Sequence, residues 1–141
     1  WMIEGGAVFA EAWLPHLDGK RDFAATMRHV MTSARKASDT GFSIADMEEI
    51  EAAPPRVAKY YRELAYDTGA WATAFIIYES PSRSVNDLRD KFYPMASALG
   101  WKTALTRYLG LGSVDEFYHA FGKFMGCTTT EQLEMLKQLK R

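Results

Sequence analysis

Phe23, Met27, Val30, Met31 and Ala34 fall at i, i+4, i+7, i+8 and i+11, opposite Arg28, Arg35 and Lys36. Only a helix gathers residues at that spacing onto one face. Stripes of the same kind recur along the chain, each bounded by a capping residue or a breaker. Before this one, Val8, Phe9, Trp13 and Leu17 sit at helical spacing in a block from Gly6 to Leu17, where Pro15 predicts a kink or early stop and Asp18-Gly19 a turn. Ser43 and Asp46 have the form of a capping arrangement ahead of an acidic segment from Met47 to Ala53. Pro54-Pro55 closes that segment, and Pro55 can open the next helix through Tyr66, because the first helical turn does not need its missing N–H.

The run Ala70 to Tyr78 is apolar enough to be a buried helix or a buried strand. It reads as a helix, since a lone strand would have no partner for its backbone groups. Ser84 and Asp87 then cap a helix carrying Leu88, Phe92, Met95, Ala96 and Leu99, which Pro94 bends and Gly100 stops. Trp101 to Leu109 is one helix and the Gly110 to Gly112 stretch a turn. Ser113 with Glu116 predicts a full capping box for a helix to Met125, bearing Val114, Phe117, Phe121, Phe124 and Met125. Gly126 ends it, and Thr128 with Glu131 caps a last helix. The expectation is an all-α single domain over residues 1–141, a compact irregular bundle of about seven to nine short helices joined by short loops. The opening Trp1-Met2 fits either a piece of a longer chain or a start at Met2.

Composition narrows the function classes. Seventeen Lys and Arg against eighteen Asp and Glu leave a formal charge of -1, so no general basic field draws in nucleic acid or an anionic membrane. No apolar stretch approaches the ~20 residues of a spanning helix, and Met2 to Leu17, interrupted by Glu4 and Glu11, does not read as a signal peptide. The single Cys127 excludes an internal disulfide and a cysteine-rich zinc site. The expected location is cytoplasmic.

Metal and catalytic templates are missing. No HExxH, paired Glu-x-x-His or calcium loop occurs; Glu11, His16, Asp18 and Asp22 crowd one turn but match no template and read as solvated polar residues. Cys127 lies just past one helix and just before another, where a thiol pKa can fall, although a lone cysteine is more often a buried filler. His119 precedes it by eight residues. The helix, glycine turn and helix around Gly110 resemble a DNA reader only superficially, because the second helix opens with Asp115 and Glu116. Asp46 to Glu51 can serve as a docking face for a basic partner or simply as a solvated face.

Aromatic richness remains: four Trp, seven Tyr and eight Phe. Tyr60, Tyr61, Tyr66, Trp71 and Tyr78 fall within nineteen residues, beside Lys59, Arg62 and Glu63. The reading is a non-catalytic helical binding or interaction domain that uses an aromatic-rich surface or groove and self-associates, with another protein or a second copy as partner. The alternative is a small helical enzyme, or a protein binding a small apolar or aromatic ligand or an unidentified cofactor, with a pocket drawing on His29, Tyr60, Tyr61, Trp71, His119 and Cys127. An exposed apolar patch favours the first; a cavity of roughly 300–1,000 Å³ touching one of those histidines favours the second.

Overall fold

The computed structural model describes residues 1–141 except the side chain of Ile50. The protein is all-α: among the described residues, extended pairing is limited to an isolated bridge between Ser84 and Lys140. Two compact units follow one another along the chain, Trp1–Thr73 and Ala74–Arg141.

In the first unit, α1 (Met2–Leu17) and α2 (Phe23–Ser38) form the opening pair. The stripe read on α2 is the face it buries: Phe23, Met27, Val30, Met31, Ala34 and Ala37. Asp22 starts this helix by accepting the Ala25 N–H at 3.1 Å. In α1 the buried residues are Gly5, Phe9, Ala12 and Trp13, and the helix runs two residues past Pro15 rather than stopping there. Phe9 and Trp13 meet Phe23 edge-on, with ring centroids 5.6 and 5.0 Å apart. That T-shaped contact sets the positive edge of one ring against the negative face of another.

The acidic segment differs from its expected form. It is a pair of short 3-10 turns, Ile44–Met47 and Ile50–Ala52, the first held by the Ser43/Asp46 capping box. Pro55 does open a helix, α3 (Pro55–Ala58). The chain then passes into a seven-residue π-helical segment, Arg62–Thr68, before α4 (Gly69–Glu79). The Thr68 hydroxyl donates to the Glu63 carbonyl at 2.7 Å, filling one turn of the widened helix. Trp71 is fully buried and donates its indole N–H to the Met27 carbonyl at 3.1 Å. Gly5 and Gly69 let α1 and the later helix touch backbone to backbone: a Cβ on Gly5 would stand 2.2 Å from the Gly69 carbonyl carbon.

The ambiguous run Ala70 to Tyr78 is helix, inside α4. In the second unit Ser84 caps α5 (Val85–Asp87), a π-helical turn spans Leu88–Phe92, and α6 (Tyr93–Leu99) carries Pro94 in its first turn. Gly100, at φ +79°, separates α6 from α7 (Trp101–Leu109), which ends at left-handed Gly110. Ser113 caps α8 (Val114–Met125), but the capping box is incomplete: Glu116 reaches back to the Gly112 N–H instead of the Ser113 one. Thr128 and Glu131 do form a reciprocal box for α9 (Thr129–Leu136). Phe75 packs against Phe117, Phe121 and Phe124 at 6.0, 5.6 and 5.0 Å. The buried Gln132 amide donates to the Phe124 and Met125 carbonyls, satisfying acceptors at the end of α8.

Candidate functional site

The first unit carries a groove of about 810 Å³, lined by α1, by α2 with the turn before it, and by the π-helical segment. Two bonds fix how the walls run. Ser33 of α2 donates to Asp67 at 2.5 Å, and Trp71 bonds Met27, so residue numbers rise along one wall as they fall along the other. Arg62 and Glu63 therefore lie level with the last turn of α2, where Lys36 stands. At the opposite end Glu11 and Arg21 line the groove, and both also line a shallower neighbouring hollow of about 720 Å³. His29, Thr32, Ser33 and Tyr66 belong to the stretch between.

The groove's charges are balanced: Arg21, Lys36 and Arg62 against Glu11, Glu63 and Asp67. Asp67 is engaged by Ser33. The described structure contains no side-chain hydrogen bond or ion pair of Arg21, Lys36, Arg62, Glu11 or Glu63. Opposite charges thus share one concave surface, and those five side chains form no ion pair among themselves. Tyr66 also meets Tyr61 edge-on at 5.4 Å. Hydrogen bonding with Tyr66, helped by burial and the Glu4 carboxylate, pushes the Tyr61 phenol up to about 12.

Of the six residues singled out from the sequence, His29 lines the groove. Tyr60 is partly buried and packs on Phe42 with ring centroids 5.9 Å apart, while Tyr61 donates to Glu4 at 3.4 Å. Trp71 is a core residue of the first unit. His119 and Cys127 belong to the second unit, His119 exposed on α8 and Cys127 partly buried, its thiol 3.5 Å from the Lys123 carbonyl. The acidic residues of the first turn are otherwise engaged: Asp18 pairs with Lys20 at 2.8 Å and Asp22 caps α2. His16 packs its ring against Trp13. Among the groove residues that sequence reasoning did not place in a site, Ser33 and Asp67 are joined by a contact spanning 34 positions, which no local pattern signals.

A second surface is apolar. Ile3, Ala7, Ala10, Leu14 and Leu17 fall at i, i+4, i+7, i+11 and i+14 on α1, away from its buried face. Ile3 is 82% exposed, Leu14 60% and Leu17 39%. Ala7, Ala10, Leu14 and Pro15 form the apolar part of the shallower hollow, with Glu11, Lys20 and Arg21 around it. Among the described residues no helix is long and apolar enough to cross a membrane. No family model, curated protein or solved structure matches the chain.

Proposed function

We propose that the chain is a non-catalytic binding and interaction domain that pairs with a second copy of itself through the outward stripe of α1. The observation that carries this reading is the exposure of Ile3, Leu14 and Leu17 in register along one helix. A contiguous apolar surface of that kind marks an interaction site, because leaving it in water forfeits its burial energy. The charges around it do not oppose a two-fold pair. Glu11, Lys20 and Arg21 border the same hollow, Lys20 already paired with Asp18, so the rim carries both signs and sets no net charge against a second copy. Sixteen residues of helix give a seam about 24 Å long, small for a stable dimer, so the pair forms reversibly. Its test is an Ala10→Cys, Cys127→Ser variant: oxidation is expected to yield a covalent dimer, and a monomeric product at concentrations where the wild type associates would contradict the arrangement.

The groove favours a second reading, a small-molecule site in the same unit. Its volume lies within the usual range for ligand pockets, and His29 is on its wall. Tyr66, 36% exposed, supplies aromatic surface there.

A further inference from the structure

The isolated bridge of the second unit ties the turn after α4 to the residues that follow α9. The Lys140 N–H donates to the Arg83 carbonyl and the Val85 N–H to the Lys140 carbonyl, both at 2.8 Å. The Ser84 hydroxyl donates to the Arg141 carbonyl at 2.9 Å. The Arg83 guanidinium donates to the Gln138 side chain, its Cζ 4.4 Å from the centroid of the Tyr78 ring. We infer that residues 138–141 are a detachable strap filling, within their own chain, a site at residues 83–85 that pairs with an extended peptide. Three of the four hydrogen bonds use main-chain groups of the strap, so the site reads an extended backbone before it reads a side chain. Side-chain choice is confined to a polar amide where Gln138 stands and an apolar residue at the next position, where Leu139 is buried.

The strap is held where water reaches it. Gln138, Lys140 and Arg141 are exposed, and Leu139 is the one apolar anchor. A segment with a single anchor and solvent-exposed hydrogen bonds opens well below the cost of global unfolding. Arg83 favours opening too. It sits at φ +53°, in the left-handed region, which no other described non-glycine residue occupies. That conformation persists only while contacts enforce it, and two of them, to Lys140 and Gln138, come from the strap. Opening leaves the Arg83 carbonyl and the Val85 N–H as a short strand edge, of the kind on which extended chains add. A tethered segment meets that edge at high effective concentration, so the strap excludes free peptides until it detaches.

The experiment is amide hydrogen exchange on the full chain, followed by peptide titration. The Lys140 and Val85 amides should exchange together, and faster than those of Ile76 and Ile77 in α4. A Lys140 amide protected as strongly as α4 overturns the inference. Val85→Pro removes one bridge donor and spares α5, because Val85 opens that helix and Ser84, at φ -102° and ψ 129°, already has the conformation of a residue before proline. It should speed Lys140 exchange about tenfold, the size of one lost hydrogen bond, and leave α4 unchanged. Gln138→Ala, at an exposed position, should act in the same way. If neither variant alters Lys140 exchange, or if α4 speeds in parallel, the strap is not a separate device. The probe for the site is the peptide Leu-Lys-Gln-Leu-Lys-Arg, copied from residues 136–141 and blocked at both ends. Lys140→Pro lacks the strap's donor but keeps the edge, so it should bind the probe about tenfold more tightly than the wild type does. Adding Val85→Pro should abolish that gain. Equal binding by wild type and Lys140→Pro, or binding by neither, overturns the site.

Discussion

Gly5 lacks a side chain at a place where none fits. The atoms nearest its missing Cβ are the Gly69 carbonyl carbon, Cα and oxygen, at 2.2 to 2.5 Å, all backbone and unable to swing aside. Gly5→Ala should therefore destabilise by about 1–3 kcal/mol or more, by forcing two helices apart. Gly122, in α8 with nothing within 4 Å of its would-be Cβ, is the contrasting position. There Gly→Ala should stabilise by about 0.5–1 kcal/mol, since it only removes backbone freedom. Urea denaturation of the two variants checks both signs. Tyr61 gives a further residue-scale expectation. Its phenol is pushed up to about 12, so the neutral form is the stabilising one. That contribution is fully present below the unfolded value near 10 and is lost as pH rises through about 12. Ultraviolet titration should show a late-ionising tyrosine that Tyr61→Phe removes; an unchanged profile would contradict the Tyr61–Tyr66 contact.

At the scale of elements, caps are where sequence and structure agree best, because a cap is a local event. Thr128 and Glu131 exchange side-chain and backbone bonds across three residues, and both identities are visible in the sequence. Thr128→Ala should cost about 0.5–2 kcal/mol in thermal or urea unfolding. The same bonds hold Glu131 below its usual carboxyl range. Its contribution is present above the unfolded value and fades as pH falls through the folded one, so the Thr128→Ala penalty should shrink in acid. The α2 stripe and the Trp101–Leu109 helix were equally legible, each written in a single window of sequence. Two elements were not. The π-helical segment Arg62–Thr68 has no period of its own in the apolar pattern, and its shape answers to packing against α1 and α2. The Ser113 box stayed half-formed because the preceding Gly112 N–H competes for the same carboxylate. The groove was legible through His29 and through Tyr66 with its neighbours Arg62 and Glu63; the meeting of their two walls depends on a contact between residues 34 positions apart.

For the whole molecule, Phe9, Trp13 and Phe23 pack in one aromatic cluster and Phe75, Phe117, Phe121 and Phe124 in another, each within its own unit. Of the six exposed large hydrophobics, Ile3, Leu14 and Leu17 lie on α1, and Tyr66, Tyr93 and Leu99 lie elsewhere. A net charge of -1 puts little repulsion between copies, and an interface built on Ile3, Leu14 and Leu17 should respond only weakly to salt. Sedimentation velocity across a concentration series, from about 1 μM to several hundred micromolar, tests the account most directly. The wild type should shift from monomer toward dimer as concentration rises. Leu14→Glu, which places a charge on an exposed position without touching the core, should remain monomeric while keeping the wild-type helical signal. A wild type that stays monomeric throughout, or a Leu14→Glu variant that associates as well as its parent, would contradict self-pairing through α1.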